Sequence, residues 1–240
     1  MSVELFGINI DDFNFEQAVN KAKDLIAQNQ VSQVITINPE IIGRAKKEPN
    51  YFEILKNAEM IIPDGIGIKI ALKINGHNVS RIAGIDFAKV LLEDAAKANN
   101  TPVAIIGAKE EILVKAIENL KLELPNLNIV YSHNGYFNKF EEIYDELAKT
   151  APRLVLVAMG APKQEEFIFG AKKVLKQGLM IGIGGSLDVW SGNIKRAPKI
   201  FQTLGLEWLY RTVSQPERFK RIFPALPLFI LKALKYKIKK

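Results

Sequence analysis

Short, unbroken apolar runs alternate along this chain with stretches whose apolar residues recur at helical spacing. Residues 3–6, 33–37, 60–62, 103–106, 129–132, 154–159 and 179–183 are the apolar runs. Most lack a polar alternation, as expected of parallel strands buried on both faces. Between them, residues 15–29, 85–98, 110–123, 139–149 and 163–176 carry a helical pattern, with Asn14 placed to cap the first. This β-α alternation predicts a Rossmann-like α/β fold, a parallel sheet with helices on both faces. No internal repeat or low-complexity linker interrupts it.

Sheets of this kind bind ligands at the carboxyl ends of their strands. The unusual polar segments fall at those ends: Thr36-Ile37-Asn38-Pro39-Glu40, Pro63-Asp64-Gly65, Gly107, Asn134-Gly135-Tyr136, Gly160-Ala161-Pro162-Lys163-Gln164 and Gly182-Ile183-Gly184-Gly185-Ser186. Six on one edge predict a long cleft. Each segment has a plain structural reading as well. The glycine run can present N–H groups to a phosphate or simply turn the chain from strand to helix. Asp64 can serve as a general base or cap a helix. Thr36 and Asn38, one residue apart in extended chain, share a side and can meet sugar hydroxyls, or form the turn into a helix opened by Pro39. Lys163 and Gln164 can reach a ligand phosphate or stand as polar residues at a helix start. Asp188 can accept from a ribose or base, or sit at a helix N-terminus where the dipole favours it.

Charge divides the 240-residue chain unevenly. From Lys195 onward there are 12 Lys/Arg against Glu207 and Glu217, a net of +10; the first 194 residues carry 21 Lys/Arg and 24 Asp/Glu, a net of −3. The boundary is therefore placed near Lys195-Arg196-Ala197-Pro198, with residues 1–195 as the Rossmann-like domain and 196–240 as a basic appendage. A basic tail suits anionic lipid, a pyrophosphate or nucleic acid, but the first 194 residues lack the basic, aromatic-interleaved clusters that nucleic acid calls for. Arg211, Arg218 and Arg221 would share one face of a continuous helix, with Pro216 interrupting or restarting it; their guanidinium forks suit a diphosphate, or they form an ordinary solvated face. Residues 222–234 are almost wholly apolar, too short for the roughly 18–20 residues of a spanning helix, and are followed by Lys235, Lys237, Lys239 and Lys240. Such a segment can lie in a membrane interface, each lysine contributing about 1 kcal/mol near anionic lipid; it can equally pack on the domain or a partner.

The chain has no cysteine and only two histidines, which excludes disulfides and thiolate metal sites and argues against a histidine-rich zinc site. No signal peptide is visible, so an intracellular location is expected. The absence of the dinucleotide-binding glycine spacing disfavours a nicotinamide-dependent oxidoreductase.

Taken in order, Thr36–Glu40, Pro63-Asp64-Gly65, Arg81-Ile82-Ala83-Gly84-Ile85-Asp86, Asn134-Gly135-Tyr136-Phe137, Gly160–Glu165, Gly184-Gly185-Ser186-Leu187-Asp188, Lys195–Pro198 and Gly205–Arg211 closely resemble the WecG/TagA/CpsF family, glycosyltransferase family 26. Two segments depart from common family forms: Thr-Ile-Asn-Pro-Glu stands where Thr-Pro-Asn-Ala-Glu is common, and His133-Asn134-Gly135-Tyr136 where relatives have His-His-Gly-Tyr. The resemblance implies a Rossmann-like fold of the GT-E type and an inverting, metal-independent transfer from a UDP-sugar, commonly N-acetylmannosamine or its uronic acid, to an undecaprenyl-diphosphate-linked sugar in cell-surface polysaccharide synthesis. It implies Asp64 as catalytic base, with Thr36 and Asn38 near sugar and acceptor. Tyr136 would stack on uracil and Asp188 bond to it; Gln164 would help hold the donor, and Arg81, Gly107, Gly135 and Gly185 would line the pocket. It implies, too, that Arg211, Arg218 and Arg221 belong to an appendage closing over the site at the inner face of the cell membrane, with no cofactor and no metal; a homo-oligomer is left open. A membrane-tethered nucleotide-binding module without catalysis is the alternative of another class.

Overall fold

The computed structural model describes the backbone of residues 2–98, 101–214 and 216–239; the side chains of residues 211, 214, 216–225 and 239 lie outside the description. Its main sheet is built from six parallel strands, β3 (Val31–Ile37), β4 (Met60–Pro63), β5 (Val103–Gly107), β6 (Ile129–His133), β7 (Leu154–Ala158) and β8 (Gly178–Gly182), in the spatial order β4-β3-β8-β7-β5-β6. The chain leaves β3 for one edge and returns from the other through β7 and β8, so the turns after β3 and β8 meet mid-sheet. A crevice opens naturally there, because consecutive connections diverge to opposite sides.

The apolar runs of β3, β4, β5, β7 and β8 do form strands buried on both faces, whereas the edge strand β6 is only partly buried. In β7, Leu154, Leu156 and Ala158 pack with α1 (Phe15–Ala27), α5 (Gly84–Lys97) and α6 (Glu110–Glu123), while Val155 and Val157 face α7 (Phe140–Thr150) and α8 (Lys163–Ala171). Asn14 caps α1 as expected: its side chain accepts from the Gln17 N–H while Gln17 reaches back to the Asn14 N–H.

Three elements differ from expectation. Residues 3–6 do not join the parallel sheet. β1 (Ser2–Leu5) pairs antiparallel with β2 (Ile8–Asp11) in a separate hairpin. The cause is the two-residue Phe6-Gly7 turn, with φ of 58° and 83°, the left-handed pair that a tight hairpin requires. The helix expected over 163–176 stops at Ala171. Between Pro39 and Ile74 lie three helices, α2 (Pro39–Ala45), α3 (Pro49–Lys56) and α4 (Ile66–Ile74); Pro39 and Asp64 mark the openings of the first and the last in the sequence, and α3 is not among the helices expected from it.

The basic tail forms α10 (Lys199–Thr203), α11 (Glu207–Ser214) and α12 (Pro216–Lys239), with Pro216 starting a helix afresh. α12 lies against α2, α4 and the hairpin. Phe229 and Ala233 are buried in that core, the Phe6 ring meets Phe229 at 5.5 Å and Tyr236 at 5.0 Å, and the Tyr236 hydroxyl donates to Glu4. One side of α12 thus packs on the domain. The other exposes Leu228, Leu231, Leu234 and Ile238. Among the described residues no helix is long and apolar enough to cross a membrane.

Candidate active site

At the carboxyl ends of β3, β4, β7 and β8 lies a cavity of about 470 Å³. Thr36, Asn38, Asp64, Arg81, Gln164 and Gly185 all line it, and α11 and α12 close one side with Glu207, Trp208 and Leu226.

Asp64 follows the last residue of β4. Its N–H donates to the Ile37 carbonyl at 2.8 Å, which ties the β4 turn to β3. Gly65, at φ 82°, then turns the chain into α4, a conformation a side chain would strain. Burial pushes the Asp64 carboxyl up to about 6, against the pull of Arg81 and of the Gly65 and Gly84 N–H groups; the Glu207 carboxylate adds to the rise. A base titrating near neutrality is stronger than an ordinary aspartate yet still ionised at pH 7.

Thr36 and Asn38 flank it. The Thr36 hydroxyl donates to the Gly182 carbonyl at 3.1 Å, linking β3 to β8, and is roofed by Gly84, where a Cβ would sit 2.8 Å from its methyl group. The Asn38 oxygen caps α2, accepting from Glu40 and Ile41 N–H at 3.0 Å each. The plain structural role weighed for this pair, the turn into the helix opened by Pro39, is therefore present in the cavity wall through Asn38, and the Thr36 bond to Gly182 adds a tie that was not anticipated. Gln164 is buried; its oxygen accepts from the N–H groups of Gly160 at 3.2 Å and Gly184 at 3.1 Å. The Gly184 N–H, considered above as a phosphate donor, is thereby engaged within the protein.

Gly107, Gly135 and Tyr136 lie further along the same edge, after β5 and β6, outside the cavity lining. Gly107, at φ 125°, passes so close to β7 that a Cβ would strike the Ala158 carbonyl at 2.4 Å. Tyr136 is 70% exposed, a ring open to stacking. Lys163 joins the two parts, donating to the Gly135 carbonyl at 2.8 Å and lying 4.9 Å over the Phe137 ring. Asp188, on α9 (Ser186–Trp190), is partly exposed and accepts from Asn193 at 3.4 Å. The side chains of Arg211, Arg218 and Arg221 lie outside the described residues, although the helices that carry them border the cavity. Among the described residues no three His, Asp or Glu side chains cluster as a metal site requires.

A family model for the glycosyl transferase WecG/TagA/CpsF family matches residues 3–240. The chain belongs to this family. Two curated relatives are a Bacillus spizizenii protein, 38% identical over 210 residues covering 87% of this chain and 81% of its own length, and a Bacillus subtilis protein, 36% identical over 214 residues covering 89% and 83%. Both carry the name N-acetylglucosaminyldiphosphoundecaprenol N-acetyl-beta-D-mannosaminyltransferase.

Some residues of this family member's site were not singled out from the sequence. Glu207 and Trp208 lie in the Gly205–Arg211 motif without an assigned role. Asp86 and Arg196 were motif positions only. They form a two-pronged ion pair, each Arg196 terminal nitrogen 2.6 Å from one Asp86 oxygen, fastening the start of the appendage to α5; Arg81 adds a bond to the Gln202 carbonyl at 2.8 Å. Complementary charges in two motifs of the ordered set were the available signal.

Proposed function

We propose that the protein transfers N-acetylmannosamine, or a closely related hexose or uronic acid, from a UDP-sugar to an undecaprenyl-diphosphate-linked N-acetylglucosamine, for a cell-surface polymer such as a teichoic acid. The observation that carries the proposal is Asp64, a carboxylate of raised basicity held at the wall of a cavity that Arg81 shares, in a chain so similar to the two Bacillus transferases.

The chemistry is a single in-line displacement. Asp64 accepts the proton of the acceptor hydroxyl as that oxygen bonds to the anomeric carbon. The bond from that carbon to the donor diphosphate breaks, UDP departs from the opposite face, and configuration inverts. Charge growing on the diphosphate needs preorganised positive groups. In a metal-independent reaction, Arg81 and the arginines at 211, 218 and 221 are the residues of this chain suited to supply it. Tyr136 offers a face for uracil, and Asp188 an acceptor for its N–H. The amide nitrogen of Asn38, whose oxygen is used in the α2 cap, is the part left for a sugar hydroxyl.

The appendage, residues 196–240, has a second task, docking on the inner face of the membrane. Leu228, Leu231, Leu234 and Ile238 recur three or four residues apart on the exposed side of α12, and Lys232, Lys235 and Lys237 are also exposed. This combination favours an orientation in the interface plane, apolar groups below the head groups and ammonium groups among them.

The test is a transfer assay with labelled UDP-N-acetylmannosamine, a lipid-diphosphate-linked N-acetylglucosamine and vesicles containing anionic lipid, with and without chelator. Labelled disaccharide-lipid in both samples is the expected result. Absence of product with every UDP-hexose offered would replace the enzyme with a nucleotide-binding module.

A further inference from the structure

Behind the cavity wall, the first turn of α8 holds a second buried carboxylate, one the displacement above does not use. Glu165 is 1% exposed. Its two oxygens are held by neutral donors: the Tyr51 hydroxyl donates to Oε2 at 2.9 Å, and Gln164 Nε2 donates to Oε1 at 2.7 Å. Among the described residues no lysine or arginine pairs with it, and burial pushes its pKa up to about 7. A carboxylate in such a place is costly to desolvate, and its neutral donors only partly offset that cost.

The chemistry of the donors gives the group a task. The Glu165 oxygen that faces Gln164 accepts a hydrogen bond, so the neighbouring amide turns its NH2 group toward it. The amide oxygen then points the other way, where it accepts from both Gly160 and Gly184. These glycines belong to the turns after β7 and β8, and both line the cavity. A reversed amide would set its own N–H groups against two N–H donors. Space is also confined: a Cβ on Gly182 would lie 2.5 Å from Gln164 Nε2.

We propose that Glu165 is a positioning residue for the donor half of the cleft: gripped by Tyr51, it fixes the amide of Gln164, which in turn holds the Gly160 and Gly184 turns at a set separation. The inference rests on reading the cleft as a UDP-sugar site. It assigns Tyr51, on α3 and outside the cavity lining, to the same chain of contacts.

The experiment is calorimetric titration of UDP, the probe, into the full-length protein, with donor KM and kcat measured alongside. Glu165→Leu should weaken UDP binding roughly tenfold, because the two glycine turns lose their set separation, and raise the KM for donor but not for acceptor, in protein that stays folded although the Tyr51 hydroxyl and the Gln164 NH2 group lose an acceptor. In a Gln164→Ala background the same change should have no further effect on UDP affinity, because the residue it acts through is gone. Unaltered UDP affinity in folded Glu165→Leu, or losses that add in the double variant, overturn the proposal. If Glu165→Leu does not fold, Tyr51→Phe carries the test: about threefold weaker UDP binding is expected, and unchanged affinity overturns it. Wild-type protein that does not bind UDP would bring down the donor reading and this inference together, whereas wild-type binding with unaffected variants removes the role of Glu165 alone.

Discussion

At the end of β4, Asp64 meets the cavity with Arg81 and Glu207 close enough to act on its charge; at the start of α8, Glu165 lies behind the opposite wall, gripped by Tyr51 and Gln164. Burial raises the pKa of both carboxyls. What separates them is where their lone pairs go. Those of Glu165 are occupied by fixed donors inside the protein, so the group can only organise its neighbours. Asp64 borders open space, so its charge can take a proton from a substrate. A raised pKa alone therefore does not mark a base; access decides.

The largest effect that tests this contrast is on turnover. Asp64→Asn should lower kcat by about 10²- to 10⁴-fold, the range for removal of a general base, with UDP affinity retained. In the wild type, kcat should fall about tenfold per pH unit below the Asp64 pKa of about 6, and this limb should vanish from the residual activity of the variant. Turnover near the wild-type level in Asp64→Asn would take the base role away from this residue.

The next effect is on stability and has the opposite sign. Asp64 titrates at about 6 in the folded chain against 3.8 for an ordinary aspartate. Between those values the folded state binds more protons than the unfolded, so stability declines as pH rises, and the decline is complete above pH 6. Asp64→Asn should then stabilise the protein at pH 8 by up to about 3 kcal/mol and by little at pH 3, as read from denaturant unfolding at the two pH values. A destabilised variant at pH 8 would mean that the hydrogen bonds from Gly65 and Gly84 outweigh the desolvation.

The smallest effect concerns the seam joining the two walls. Thr36→Val removes the bond to the Gly182 carbonyl while keeping the volume, and should cost about 1–2 kcal/mol in unfolding experiments. A neutral result would show that β3 and β8 are held by their ladder alone.

The strands of the sheet were legible from the chain because each is a compact apolar run with a polar turn at its carboxyl end, and the cavity residues Thr36, Asn38, Asp64, Arg81 and Gln164 stood in those turns or in an ordered motif. Other features depend on contacts between distant residues. Residues 3–6 look like any other buried strand; only the left-handed backbone at Phe6-Gly7 sends them into a hairpin, and Phe6 carries no local mark of it. Tyr51 and Glu165 are far apart in the chain, and nothing local to either says that the tyrosine will cover the carboxylate. The apolar run in the tail was ambiguous for a related reason. Helix α12 uses Phe229 and Ala233 against the core and Leu228, Leu231 and Ile238 outward, so a single stretch of sequence serves two surroundings.

The packing of Phe6 on Phe229 and Tyr236 sets an order of events during synthesis. The first hairpin leaves the ribosome with its aromatic side uncovered, and the helix that covers it emerges nearly a whole chain later. Until then the nascent protein carries an unpaired apolar surface, a natural place for a chaperone to hold. A ribosome stalled before α12 should present a chain that binds such a factor, and release of the full-length polypeptide should end the association.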